Sequence, residues 1–376
     1  MIRAARTASL LALSACCLSC TPSGSLRLRE APQTKDDVRR ILHYASLAGS
    51  SHNSQPWRVE VFGRDSLLVF ADTTRSLPVV DHSGRELHIS IGAFLENLRI
   101  AAASLSYVAE IDPLPGEASG PLARIRLVPA QGLREEFKPE DLERRTTSRI
   151  PFGTTPIRPQ DVEALLRIDR QSVHLFPADS PEGRLIATGE VAAYRQQARD
   201  PLAQEELARW IRFSDREVLA RRDGLTTAGM GIDGLAGLYV RHVYTPEDSR
   251  TEAFVSKGIE KTVRQVEGAG GWIVLTQQDD AAGWLRIGRL YERLNLECQR
   301  LGLGFHPMNQ VVEERGFGER IASQLSLPGK ILFVARTGYV QGAPDPVSPR
   351  RPVDSFATFR QGCRPEGPRP RRPDSP

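Results

Sequence analysis

Apolar residues recur at helical spacing from Thr34 to about Ala48, where Val38, Ile41, Leu42, Ala45 and Leu47 fall mostly on one face and Gly49 stands as the stop. The period then drops to two. Arg58-Val59-Glu60-Val61-Phe62 alternates as a strand, Leu67 to Ala71 reads as a second, and a long helix runs from about Arg85 to Leu105 with Ile91, Leu95, Leu98, Ala102 and Leu105 on one stripe. Far downstream, Gly271 to Thr276 and Ile331 to Ala335 read as strands, the latter buried by its pattern.

The pattern is written twice. Ile91-Gly92, Glu96, Leu98 and Leu105 recur as Ile287-Gly288, Glu292, Leu294 and Leu301, at a constant offset of 196. Asp37-Val38 followed by Ile41-Leu42 recurs as Asp161-Val162 followed by Leu165-Leu166, and Gly271–Thr276 takes the place of the Trp57 strand. Helix, strand and long helix in one order predict two halves, at about 30–130 and 138–360, the second carrying an insertion at about 201–267. That insertion begins helical and turns glycine-rich. Gly229-Met230-Gly231-Ile232-Asp233-Gly234 formally matches a dinucleotide-binding glycine pattern, but no predicted strand precedes it and no βαβ unit surrounds it, so a mobile lid is the better expectation.

Composition narrows the address more than the chemistry. Fifty Lys+Arg against 46 Asp+Glu, spread along the chain, do not suggest nucleic-acid binding. Arg3 and Arg6 precede a short apolar run, Ala8 to Ala15, too short to span a bilayer but suited to a signal peptide over about 1–20. Leu13-Ser14-Ala15-Cys16 resembles a bacterial lipobox, which implies a lipid on Cys16 and a membrane-anchored envelope protein facing the periplasm; a plain secretory signal is the alternative. Cys16, Cys17 and Cys20 lack a His or Cys at ligand spacing, so no metal is expected, and Cys298 and Cys363 are too few for a disulfide framework. Residues 364–376, rich in Arg and Pro, read as a disordered tail.

Between the first helix and the first strand lies Ser50-Ser51-His52-Asn53-Ser54-Gln55-Pro56-Trp57, a polar loop pinned at both ends, with Pro56 biasing Gln55 toward extended backbone. Ser-Ser-x-Asn-x-Gln-Pro-Trp resembles the signature of the nitroreductase superfamily of FMN-dependent oxidoreductases, and the duplication resembles its tandem, Acg-like branch, over about 34–360. The resemblance implies an α+β, nitroreductase-like fold: an internally duplicated pseudo-dimer with mixed β-sheets flanked by helices.

It also implies a site. In the family the loop serves a flavin held by the partner subunit, which here puts Ser50, Ser51, Asn53 and Gln55 on FMN. Arg145, Thr147 and Arg149 match the spacing of the family's phosphate-binding segment, a use suited to bidentate guanidinium groups with a hydroxyl between them. Arg350 and Arg351 resemble the basic pair that returns to the phosphate, with a solvated basic turn as the alternative. Met308 and Asn309 match the segment that lies against the flavin ring and offers it a backbone N–H; His306 and His52 are a proton-donor candidate and a loop-shaping residue, or simply structural. Half one has no counterpart of the phosphate arginines near Ser25–Leu26, and Ile168–Val173 of half two lacks the serine loop. One composite FMN site is therefore expected, passing electrons from an unknown donor to a small electron-poor acceptor, and no Ser-His-Asp triad can be argued. The alternative is a catalytically silent envelope protein that sequesters flavin or binds a partner.

Overall fold

The computed structural model describes residues 29, 33–114, 119–153, 155–232, 234–342 and 345–360. The leader with Cys16 and the tail at 364–376 lie outside them. The first half runs α1 (Asp37–Ser46), β1 (Trp57–Phe62), β2 (Ser66–Ala71), α2 (Arg85–Ser104), β3 (Tyr107–Pro113) and β4 (Ala123–Pro129). After α3 (Pro139–Arg144), the second begins with α4 (Pro159–Leu166) and β5 (Val173–Pro177). Then come α5 (Pro181–Gln197), α6 (Pro201–Trp210), β6 (Ile211–Arg212), α7 (Asp215–Arg221), β7 (Leu225–Thr226), α8 (Gly234–Val243) and α9 (Glu252–Glu267). It ends with β8 (Gly271–Gln277), α10 (Ala281–Arg300), β9 (Leu303–Pro307), α11 (Gln310–Glu313), α12 (Phe317–Leu325), β10 (Lys330–Tyr339) and β11 (Ala357–Arg360).

The two main sheets share one plan. The first orders its strands β11-β1-β2-β4-β3 and the second β5-β8-β10-β9. Antiparallel pairs β1·β2, β2·β4 and β3·β4 match β5·β8, β8·β10 and β9·β10 one for one. This corrects one expectation: β8 is the counterpart of β2, the strand before the long helix, and the Trp57 strand corresponds to β5. The hairpin that joins β1 to β2 through residues 63–65 is opened in the second half, where 178–270 lie between β5 and β8. Only the first sheet is mixed, because β11, from the end of the second half, adds in parallel to β1 with Val59 opposite Ala357. The second half thus completes the first half's sheet.

The repeated glycines explain how the halves pack. A Cβ on Gly288 would fall on the carbonyl of Ile89 and lie 2.8 Å from Gly92 Cα; one on Gly92 would fall on the carbonyl of Leu285 and lie 2.9 Å from Gly288 Cα. These contacts exchange under the offset of 196, as at an isologous interface. The helices α2 and α10 cross where neither has a side chain, and the core of Ile91, Leu95, Leu98, Ile287 and Leu294 closes around the crossing. A second core, with Ile186, Trp272, Val274, Met308, Val311, Ile321 and Val334, joins α5, α11 and α12 to the other face of the second sheet. Among the described residues no helix is long and apolar enough to cross a membrane.

Candidate functional site

Helix α1 is capped by Asp36, whose carboxylate accepts from the N–H groups of Val38 and Arg39, and ends at Ser46, short of Gly49. Gly49 has a different reason to be glycine: a Cβ there would coincide with the Tyr291 hydroxyl. The loop that follows holds three non-glycine residues in the left-handed region, His52 (φ 49°), Asn53 (φ 53°) and Gln55 (φ 54°). Gln55 is therefore not extended, despite Pro56. Its amide N–H donates to Ser50 Oγ (3.0 Å), its side chain donates to the Arg222 carbonyl (2.9 Å) and accepts from the Arg351 N–H (2.9 Å), and its carbonyl accepts from Arg351 Nη1 (3.0 Å). Such bonds hold a backbone state that costs ~1–3 kcal/mol per residue and that clusters at functional sites.

The loop meets the arginines of the second half. Asn53 Oδ1 accepts from Arg350 Nη1 (3.0 Å), and Arg350 Nη2 donates to the carbonyls of Leu47 (2.9 Å) and Ala48 (3.1 Å). Arg145 donates to Leu47 through Nε (3.3 Å) and Nη2 (3.2 Å), and Arg29 reaches the same oxygen at 3.5 Å. Three guanidinium groups thus gather on the negative end of α1. Glu292, fully buried, stands 3.0 Å from Arg145 and accepts from the Gly49 N–H at 3.2 Å. Two carboxylates, Glu292 beside Arg145 and Glu143 near Arg29, stand against three guanidiniums and leave an excess of one positive charge. Burial pushes Arg350 down to about 9 and Arg29 well below the usual arginine range, and Nε of each is buried without a partner. Those properties fit a bound phosphate, which brings charge and acceptors together.

The rest of the predicted set divides. Arg149 donates to the Gly229 carbonyl (2.8 Å) and lies near enough to His52 to help burial push that imidazole down to about 4, so His52 is a neutral side chain; Thr147 is half-buried. Ser51 lies one hydrogen bond from α2, its N–H donating to Ser90 Oγ (3.2 Å). Met308 and Asn309 are elsewhere engaged. The Met308 N–H donates to the Val334 carbonyl (2.8 Å), so it is not free for a ring, and Asn309 ties Glu86 (3.0 Å) to the Val334 N–H (2.8 Å). His306 accepts from Arg336 Nε at Nδ1 (2.9 Å), which places its proton on Nε2 and leaves a neutral donor.

Glycines of the insertion sit directly on the loop. Gly224 and Asn53 bond reciprocally, N–H to carbonyl at 3.2 Å and side-chain amide to carbonyl at 3.1 Å, while Asp223 bridges Arg75 and Arg212. Asp233 lies outside the described residues, and the strand before this segment is the two-residue β7, paired in parallel with β6. Sequence reading missed Tyr291, Arg29, Arg336 and the role of Glu292, for which a charged residue repeated in an apolar helix stripe was the one available signal.

No family model matches the chain. It is 28% identical over 338 residues to the protein named Rv3127 of Mycobacterium tuberculosis H37Rv, covering 86% of this chain and 93% of that one. It is 24% identical over 344 residues to a protein of the same strain named "Putative NAD(P)H nitroreductase acg", covering 87% and 97%. The chain is similar to these two proteins over most of its length. Among solved structures, the FMN-dependent nitroreductase NfnB of Mycobacterium smegmatis, in complex with NADPH, is matched at 16% identity and a TM-score of 0.38, over 59% of this chain and 97% of that one.

The duplicated position of Glu292 has taken a different course. Glu96 pairs with Arg99 (2.8 Å), Arg289 (3.0 Å) and Arg293 (3.0 Å), so its carboxylate is saturated by neighbouring helix arginines. Arg99 also meets Glu135 (2.6 Å) and Arg293 meets Glu136 (3.3 Å), so three carboxylates face three guanidiniums here and the charge is balanced.

A buried acid group behind the site sets a pH dependence. Burial pushes Glu86 up to about 7 and, with Glu86 as its neighbour, Glu313 up to about 8; Asp81 and Glu190 are raised too, and Arg85 is the nearby cation. These carboxyls hold protons more tightly folded than unfolded, so the folded chain binds more protons above the model-peptide value of 4.5, and stability falls as pH rises through about 8. Glu313→Gln is expected to flatten thermal melts between about pH 6 and pH 8.5 and to melt higher than the parent at the upper end. An unchanged slope would refute the assignment.

Proposed function

We propose that this chain binds one FMN between its halves and acts as an FMN-dependent oxidoreductase, reducing a small electron-poor acceptor. The reading rests on one observation above the others: buried guanidinium groups at 29, 145 and 350, from three distant parts of the chain, converge on the Leu47 carbonyl just ahead of the signature loop with an excess of positive charge. Arg145 and Arg350 would hold the phosphate, and Asn53 would fix Arg350. Ser50 and Ser51 would face the ring from the opposite half. FMN supplies the transfer of hydride or electrons, and the protein supplies position, charge and exclusion of water. His52 and the Nε2–H of His306 are neutral at physiological pH and would donate hydrogen bonds without bringing a second positive charge. Because a relative carries the name of an NAD(P)H nitroreductase, a reduced pyridine nucleotide is the donor to test first.

A second reading, flavin sequestration, is favoured by the contacts of 222–231, which occupy Asn53, Gln55 and Arg149 with the chain's own carbonyls. Both readings are tested by following NADPH oxidation with a nitroarene or a quinone, in the parent and in Asp223→Ala, which releases Arg75 and Arg212. Turnover by the parent supports the oxidoreductase. Turnover that emerges only in Asp223→Ala supports a closed, flavin-holding protein, and flavin that, once bleached with dithionite, neither acceptor reoxidises in either protein removes the oxidoreductase reading.

A further inference from the structure

Helix α8 is built inside out. Its one buried residue is Gly237, where a Cβ would meet the Ile232 carbonyl at 2.5 Å, so the smallest side faces the body of the protein. Leu235, Leu238, Tyr239 and Val243, at i, i+3, i+4 and i+8, form the opposite stripe, which is exposed along its length, Leu235 to 86% and Tyr239 to 60%. A single exposed leucine is ordinary, whereas four large apolar residues in line on a ten-residue helix mark an interaction surface. A second copy of the chain is a poor occupant. Four partly exposed side chains fall well short of the ~800 Å² per partner that a stable dimer buries. A membrane surface suffices with less, provided it is held close. Leu13 to Cys16 resembles a lipobox, and a lipid on Cys16 would tie Arg29 to a bilayer by thirteen residues, a reach of at most ~45 Å. Arg29 in turn lies a few contacts from α8. Its Nη1 donates to the Arg145 carbonyl (3.1 Å), and four residues on, Arg149 Nη1 donates to the Gly229 carbonyl (2.8 Å), five residues before α8 begins.

We infer that α8 is a membrane-docking helix, which lays Leu235, Leu238, Tyr239 and Val243 into the headgroup region of a bilayer that contains anionic lipid. The chemistry of the helix suits that layer. It holds no acidic residue, Arg241 and His242 fall in its last turn, and Tyr239 joins an apolar ring to a hydroxyl, as interfacial residues do. At ten residues, ~15 Å, it lies on a membrane and does not cross one. The same insertion supplies the carbonyls of Arg222, Gly224 and Gly229 that hold Gln55, Asn53 and Arg149, so the docked segment is also the one that packs on the signature loop.

Co-sedimentation with vesicles of phosphatidylethanolamine and phosphatidylglycerol tests the docking, using the chain from Thr21 onward, which contains every described residue and lacks Cys16. Half of it should pellet at about 1 mM accessible lipid, a partition roughly tenfold weaker than one myristoyl chain gives. Leu235→Glu combined with Val243→Glu should weaken binding by about tenfold or more, and its thermal melt should match the parent because both side chains are exposed. Leu235→Trp should bind at least as tightly as the parent. No pelleting of the parent at about 5 mM lipid overturns the inference. Equal pelleting of the parent and the double variant also overturns it, since the contact then lies elsewhere. So does a parent dimer in light scattering that the double variant splits, with no vesicle binding by either, which would make the stripe a contact between copies. None of these outcomes depends on whether FMN is bound.

Discussion

Gly288→Ala is expected to lower the melting temperature by on the order of 4 °C, with Gly92→Ala close behind. At both positions the added methyl meets backbone, the carbonyls of Ile89 and Leu285 and the facing glycine Cα, so no side chain can rotate aside. The helices must separate, and the core residues Ile91, Leu95, Ile287 and Leu294 lose contact together. Overpacking of this kind costs ~1–3 kcal/mol and occasionally more, and the backbone contact puts these sites at the upper end. Because one separation of α2 from α10 relieves both clashes, the double variant should cost clearly less than the sum of the singles. Circular-dichroism melts decide the point. Full additivity, or an unchanged melt for either single variant, would mean that the glycines do not mark the crossing between the halves.

Arg145→Ala is expected to be the most damaging single change at the site, in two separable ways. It leaves Glu292 buried without its ion pair, a loss of ~3–5 kcal/mol of stability by the measure of other buried pairs. On the proposed assignment it would also remove a charge-assisted contact to the FMN phosphate, worth ~1.5–3 kcal/mol, which corresponds to roughly 10- to 150-fold in affinity. Replacing both partners with apolar residues, Arg145→Met with Glu292→Leu, should restore much of the stability while leaving FMN binding weak. A double variant that recovers both properties would show that Arg145 serves packing alone. Arg145→Lys should fall between, keeping the charge and losing the fork.

The elements most legible in the sequence are those whose signal is local. The periodicity of α1 and α10 survives because each buries mainly one face, α2 is buried on nearly all sides and shows as a long apolar run, and the loop from Ser50 to Gln55 stands out by residue order. The duplicated glycine was visible as a repeat, but its reason was not, because only the fold shows that the two copies touch each other. The match of β8 to the Trp57 strand failed for a related reason. Short apolar strands look alike, and the insertion between β5 and β8 hides the hairpin that would have fixed their order. Pro56 misled about Gln55, where three long-range hydrogen bonds, to Arg222 and Arg351, and a local one to Ser50 outweigh the bias. Tyr291 over Gly49 and Arg336 on His306 join residues 242 and 30 positions apart, distances over which no periodicity carries information.

A single composite flavin site fixes the stoichiometry of FMN bound by the purified chain, read by titration from the visible spectrum and the quenching of flavin fluorescence. Saturation is expected at one FMN per chain, with binding sharply weakened in Arg145→Ala and in Arg350→Ala. Saturation at two per chain, or FMN bound equally well by both variants, would contradict it.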